Sequence, residues 1–388
     1  MTACIVGWAH TPFGRLEGET VESLIVRVAT EALADAAVAP ADVDEIVLGH
    51  FNAGFSAQDF TASLVLQASP ELRFKRATRV ENACATGSAA VHQGLQAIAA
   101  RAARIVLVVG VEQMTSTPAA EIGKNLLKAC YVREEANIEG GFAGIFGKIA
   151  ALYFQRYGDQ SDALARIAAK NHKNGVGNPY AQMRRDLGYE FCRRESEKNP
   201  FVAGPLKRTD CSLVSDGAAA LVLADEEAAR VMPKAVAFRA VAHVQDFLPM
   251  GKRDILKFEG CALAWQRALA KAGVTLGDLS FVETHDCFTI AELIEYEAMG
   301  LVPEGRGASA IKEGLTEMNG ALPVNPSGGL KAKGHPIGAT GVSMHVLASM
   351  QLVGAAGDIQ VKDAKLAGIF NMGGAAVANY VSVLEPLR

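Results

Sequence analysis

The residues of this chain best suited to nucleophilic or proton-transfer chemistry are its seven cysteines and eight histidines. Cys84 lies in VENACATGSAAVHQGLQAIAA, where a helix is expected to begin at Thr86 or Ser88. A thiol at a helix N-terminus feels the positive end of the dipole, which favours the thiolate. Its small neighbours Ala83, Ala85, Gly87 and Ser88 leave the sulfur approachable. An unpaired cysteine is most often a small buried hydrophobe, so position alone does not make it a nucleophile. His335 lies in NPSGGLKAKGHPIGATG (325–341), a Gly-rich loop before another expected helix. Such a loop can aim an imidazole at a partner, and Cys–His pairs are a standard means of activating a thiol.

His285, Asp286 and Cys287 follow the expected strand LSFVET and precede the expected helix FTIAELIEYEAMG. Catalytic groups of α/β proteins gather where strands end at their carboxyl edge. There Cys287 is a candidate proton donor and acceptor, and Asp286 reads as the cap of the following helix. The turn FNMGGAAVANY (370–380) offers the N–H groups of Gly373 and Gly374, which suit a thioester oxyanion as well as they suit a plain turn. His92 and His345 fall within helical stretches and read as structural; His172, in KNHKNG, reads as a solvated loop residue or a ligand contact. The sequence has no G-x-S-x-G elbow, no phosphate loop and no metal-ligand spacing.

The elements that hold these residues form a duplication. ALADAAVAPADVDEIVLGH (32–50) and ALAKAGVTLGDLSFVETHD (268–286) align with identities at Ala32, Leu33, Ala34, Ala36, Val38 and Asp42. ATGS (85–88) is echoed by ATGV (339–342), each opening a helix, and SDGAAALVLAD (215–225) by MGGAAVANYVSVLE (372–385), each a Gly turn before a strand. Three echoes in one order imply two halves of one α/β topology, strand and helix alternating, with sheets covered on both faces. ACIVGWA (3–9) and KAVAFRAVAHV (234–244) read as matching first strands, and IVLVVGV (105–111) as a buried strand. The expected units are residues 1–114 with 206–232, residues 233–388, and an insertion, 115–205, that covers the active site.

Composition removes other classes. The net charge of -4 gives no general attraction to nucleic acid or membrane. The seven cysteines, odd in count and scattered along the chain, fit a reducing compartment. MTACIVGWAHTPFG does not read as a signal peptide, and the apolar runs are too short to span a bilayer. A soluble cytoplasmic protein is expected.

NACATGSAA around Cys84, SDGAAA near 215–220 and NPSGGLKAKGHPIGATG around His335 resemble the thiolase superfamily over essentially the whole chain. The resemblance implies duplicated βαβαβαββ halves in a five-layer α-β-α-β-α arrangement, an inserted loop domain, and a homodimer or tetramer. It implies that Cys84 carries an acyl group, that His335 activates it, and that the N–H of Gly373 joins that of Cys84 in an oxyanion hole. The chain departs from the commonest thiolases in carrying His285-Asp286-Cys287-Phe288 in place of N-E-A-F. It also has Asn371-Met372-Gly373 in place of a C-terminal C-x-G. It is thereby similar to the sterol carrier protein-x type and archaeal acetoacetyl-CoA thiolases. In that subgroup Cys287 would be the acid/base, and His285 would polarise the thioester carbonyl or hold an oxyanion-hole water. The implied reaction is CoA-dependent cleavage of a 3-ketoacyl-CoA, or its reverse, with coenzyme A thioesters as substrates and no metal or bound cofactor. Lys207, Arg208 and His172, beside other basic residues from Lys170 to Arg194, are candidate coenzyme A contacts. The resemblance also implies a small OB-fold, zinc-containing accessory protein as a partner. Two alternatives are a thiolase-like subunit acting only within a complex and a decarboxylating ketoacyl synthase; the retained Cys84 and His335 argue against the first, and GHPIGATG with HDCF against the second.

Overall fold

The unbroken apolar run from Ile105 to Val111 lies in a strand, Ile105–Glu112, buried along all but its first residue. In a computed structural model, which describes residues 3–387, it is the fourth of eleven strands. These are β1 (Ala3–His10), β2 (Glu45–Gly49), β3 (Arg76–Val80), β4 (Ile105–Glu112), β5 (Phe201–Ala203), β6 (Leu206–Lys207), β7 (Gly217–Asp225), β8 (Val236–Gln245), β9 (Phe281–Glu283), β10 (Ala367–Gly373) and β11 (Ala378–Pro386). β5 and β6 form a separate hairpin; the rest make one mixed sheet in the order β3-β2-β4-β7-β1-β8-β11-β10-β9.

The duplication is visible in that order. From the outer edge the first half runs β3-β2-β4-β7-β1, and the second runs β9-β10-β11-β8. The place of β3 in the second half is taken by an isolated parallel bridge, Val282 to Val324. The halves meet where β1 pairs with β8 through Cys4–Ala237 and Ile5–Val236.

Side chains alternate across each strand, so each half-sheet feeds two cores. Leu107 and Val109 of β4 pack with the helix Val21–Ala36. Val106 and Val108 face the opposite way, into a core shared with the helices Thr86–Ala99 and Ile337–Leu352 and with Ala367 and Ile369 of β10. Beyond the second half-sheet, Trp265 of the helix Glu259–Ala272 packs with Phe370 and Val381. The layers are therefore helix, half-sheet, paired helices, half-sheet, helix. The helix Ile337–Leu352 is buried on every side because it is the inner layer: every residue but Met350 is buried.

The second ATG echo does not open its helix. Pro336 sets the N-cap, and the helix begins at Ile337, two residues earlier. Between β4 and β7 the chain is mostly helical, with Gly141–Tyr157 and Ser161–Gly175 its longest helices.

Candidate active site

Cys84 stands at the end of a tight turn. Ala83 before it has φ 48°, a left-handed conformation that costs a residue with a Cβ about 1–2 kcal/mol. Ala85 is the N-cap of the helix Thr86–Ala99, so the sulfur sits at that helix's N-terminus. Opposite lies the Gly373-Gly374 turn after β10. A Cβ on Gly373 would fall 2.4 Å from the carbonyl oxygen of Asn82, so glycine there permits the close approach of the two turns. The N–H of Gly374 donates to the Cys84 sulfur.

The helix end favours the thiolate. Burial outweighs it and the Gly374 hydrogen bond, pushing the Cys84 thiol up to about 12. The resting nucleophile is a thiol, and its proton needs an acceptor nearby. The Cys84 sulfur and one ring nitrogen each of His285 and His335 all lie within 4.8 Å of one another. The two rings meet edge to face, with centroids 5.1 Å apart.

His335 is set up to accept that proton. The Thr340 hydroxyl donates to the carbonyl of Pro336 at 3.0 Å, so toward the His335 Nδ1, 2.7 Å away, it acts as acceptor. With the hydroxyl proton on that carbonyl, the ring proton belongs on Nδ1, and Nε2 presents a lone pair. Nε2 is buried and meets no hydrogen-bond partner among the described residues. Burial, reinforced by the Lys333 ammonium, pushes His335 down to about 3 and His285 well below its ordinary value, with His335 itself a further cause. Both imidazoles are neutral at physiological pH.

Comparison with known proteins places this geometry in a family. Residues 3–227 match the thiolase N-terminal domain, and residues 240–386 the thiolase C-terminal domain-like family. The chain belongs to the thiolase family. An acetyl-CoA acetyltransferase of Methanothermobacter thermautotrophicus is 35% identical to this thiolase over 95% of this chain and 96% of its own. Sterol carrier protein 2 of Bos taurus is 33% identical over 95% of this chain and 69% of its own. Among solved structures, an Ltp2-ChsH2(DUF35) aldolase shares the fold with a TM-score of 0.85 at 23% identity, covering 100% of this chain and 98% of its own.

Other parts of this thiolase hold the trio in place. The backbone N–H of His335 donates to the Ser215 hydroxyl at 3.0 Å, which gives the SDGAAA motif a role at the site. Glu112 accepts from the amides of Phe51, Asn52 and Gly338 at 3.0–3.1 Å, binding three loops together. Asp286 does not cap the helix Thr289–Ala298 that follows it. It accepts from the amides of Leu330 at 2.6 Å and Lys331 at 3.1 Å, the start of the short helix Gly329–Lys333 before His335. The tertiary fold brings that N-terminus to it, and no sequence spacing announces the partner. Ser215, Lys333, Thr340 and Asn371 stand in recognisable motifs; Glu112 has no chemical signal of its own.

Cys287 is buried beside this cluster, and burial, with the Cys84 sulfur next in weight, raises its thiol well above the ordinary value. Several basic candidates turn inward. His172 is buried within the helix Ser161–Gly175 rather than on a solvated loop, and neither ring nitrogen has a partner among the described residues. Lys207 is 2% exposed and pairs with Asp210 at 3.5 Å. Lys170 is buried against Glu292 at 2.9 Å, so neither ammonium is open to an anion. Arg208 is exposed. His92 and His345 both reach the Ser382 hydroxyl, at 3.4 and 2.9 Å, as internal hydrogen-bonded groups. No helix among the described residues is long and apolar enough to cross a membrane.

Proposed function

We propose that this chain is an acetyl-CoA C-acyltransferase that cleaves 3-ketoacyl-CoA with coenzyme A, or runs the reverse condensation, through an acyl group on Cys84. The observation that carries the reading is the buried trio: the Cys84 sulfur with one ring nitrogen each of His335 and His285, all within 4.8 Å of one another, while Thr340 takes up His335 Nδ1.

In cleavage, the Cys84 proton passes to His335 Nε2 and the sulfur attacks the 3-keto carbon. The C2–C3 bond breaks, and its electron pair becomes the enolate of acetyl-CoA, which takes a proton at C2 from Cys287. The coenzyme A thiol then attacks acyl-Cys84 and gives its proton to Cys287, and the expelled Cys84 sulfur regains its own from His335. His285 polarises the carbonyl oxygen under attack. We place the coenzyme A moiety in a cleft of about 700 Å³ lined by Lys148, Arg156, Met250, Arg253 and Leu256, rather than at Lys207. Arg253 Nη1 donates to the carbonyls of Ala375 at 2.8 Å and Ala376 at 3.3 Å, which places this cleft against the turn that reaches Cys84. The free outer edge of β3, first in the sheet order, suits a homodimer contact.

Incubation with acetyl-CoA followed by peptide mass spectrometry tests the reading. An acetyl adduct on the Cys84 peptide, absent in Cys84→Ala, is expected; an adduct on another cysteine overturns it. A second reading, that an accessory protein is needed, draws on the fold shared with the Ltp2-ChsH2(DUF35) aldolase. Turnover by the purified chain alone would exclude it.

A further inference from the structure

Asn371 occupies the position where the commonest thiolases carry a second cysteine, and its amide leaves it without proton-transfer chemistry. Its place in the structure gives it other work. It lies on β10, fully buried, between the nucleophile and the HDCF turn. Its Nδ2 is 3.2 Å from the carbonyl oxygen of Cys84 and 2.8 Å from Nδ1 of His285. A carbonyl oxygen only accepts, so the Cys84 carbonyl orients the amide with its NH₂ toward both partners. One N–H goes to that carbonyl and the other to His285.

We propose that Asn371 is a positioning residue that selects the tautomer of His285. By donating to Nδ1 it forces the ring proton onto Nε2, so that His285 presents an N–H donor to the reacting carbonyl oxygen. His285 Nε2 is buried and has no partner among the described residues, as a donor held for an incoming oxygen requires. Across the edge-to-face contact the arrangement is opposite: Thr340 places the His335 proton on Nδ1 and leaves Nε2 as a lone pair. Two neutral histidines thus hold different roles, base and donor, because one leans on an acceptor and the other on a donor. An imidazole in the wrong tautomer loses its function with its geometry intact. The inference rests on the thiolase reading above and assigns within it the residue that keeps His285 competent.

The groups facing His285 leave this selection to Asn371. From the 333–335 loop come the Lys333 ammonium and the neutral His335 ring. From the nucleophile turn comes Cys84, held as a thiol, and from its own turn Asp286 and Cys287. Glu295, on the helix Thr289–Ala298, takes up the Thr284 hydroxyl and the backbone N–H of His285, not its ring. None of these has a ring hydrogen bond to His285.

The test is Asn371→Asp. The carboxylate accepts from Nδ1–H, so at neutral pH Nε2 carries a lone pair and the donor is lost. We expect kcat to fall by about 10²–10³, the usual loss for one oxyanion-hole donor, with KM little changed. As the pH falls, His285 in this variant takes a second proton, regains Nε2–H, and the ratio of variant to wild-type kcat rises. A ratio constant with pH overturns the proposal, because damage to packing alone is not repaired by a proton. Nitrogen-15 NMR of histidine-labelled wild-type protein, assigned with His285→Gln, gives a reading that does not depend on the folding of Asn371→Asp. Nε2–H on His285 and Nδ1–H on His335 are expected, and Nδ1–H on His285 overturns the proposal. If wild-type protein forms no acetyl-Cys84, the thiolase reading itself has failed; if it forms the adduct while the NMR shows the other tautomer, only the role of Asn371 has.

Discussion

Gly87 and Gly341 hold the same place in the two repeats, and they touch. A Cβ on Gly87 would lie 2.7 Å from the amide nitrogen of Gly341, and one on Gly341 would lie 2.2 Å from that of Ser88. The two inner helices thus cross backbone to backbone, just beyond Cys84 on one and His335 on the other. Gly341→Ala must push the helices apart, at a cost of about 1–3 kcal/mol. We expect a lower melting temperature and a kcat reduced more than KM is raised, since the shift falls between base and nucleophile. Wild-type melting and wild-type kcat together would show that the contact is not close.

His335 as base makes two further outcomes specific. His335→Ala should slow acylation of Cys84 by about 10² or more, the range for a lost general base, and slow alkylation by iodoacetamide at neutral pH. Unchanged alkylation would mean that another group takes the proton.

The pH dependence follows from the burial of that ring. His335 is held down near 3 in the fold, against an ordinary value of about 6.5. A base with a lowered pKa stays unprotonated, and active, as the pH falls through the ordinary value; it is lost only near the lowered one. The rate of Cys84 acylation should therefore show no acid limb centred near pH 6.5 between pH 7 and 5. Such a limb in single-turnover acylation would place His335 in contact with water.

Cys287 is expected to serve a different step from Cys84. The Cys287→Ala variant should still form acetyl-Cys84 from acetyl-CoA. It should fail to exchange the methyl protons of acetyl-CoA with deuterated water, and fail to condense. Exchange at the wild-type rate would move the base elsewhere, with His285 next to examine.

Asp286 holds the start of the helix that leads to His335. Asp286→Ala removes two amide acceptors and leaves the Asn171 side-chain N–H, 2.7 Å from the lost carboxylate, without that partner. Loss of a cap alone costs about 1 kcal/mol, and a buried unsatisfied donor adds about 1–3. Hydrogen exchange at Leu330 and Lys331 should accelerate while exchange in the helix Thr289–Ala298 changes little. Faster exchange confined to the latter would restore the sequence-based reading of Asp286 as its cap.

The chain's order of types determined much by itself. Apolar runs, Gly turns and the repeated helix–turn–strand pattern carry the duplicated α/β topology, because period and turn chemistry are local properties. Cys84 and His335 were legible for the same reason: each sits in a contiguous motif at a helix start. The tertiary structure decided what depends on distant partners. Asp286 has the sequence position of a local cap, yet it serves a helix more than forty residues away. Lys170, Lys207 and His172 look like surface groups in a polar stretch, yet packing of the segment between β4 and β7 buries them. The state of Cys84 was set by burial rather than by the helix end that its position announces. The assignment of His335 as base rests on Thr340, five residues along the chain. The proton on His285 depends instead on Asn371, reached only by folding. A sequence displays which groups are present and which are neighbours along the chain; exposure and hydrogen-bond partners are properties of a closed surface, which exists only once the layers have packed.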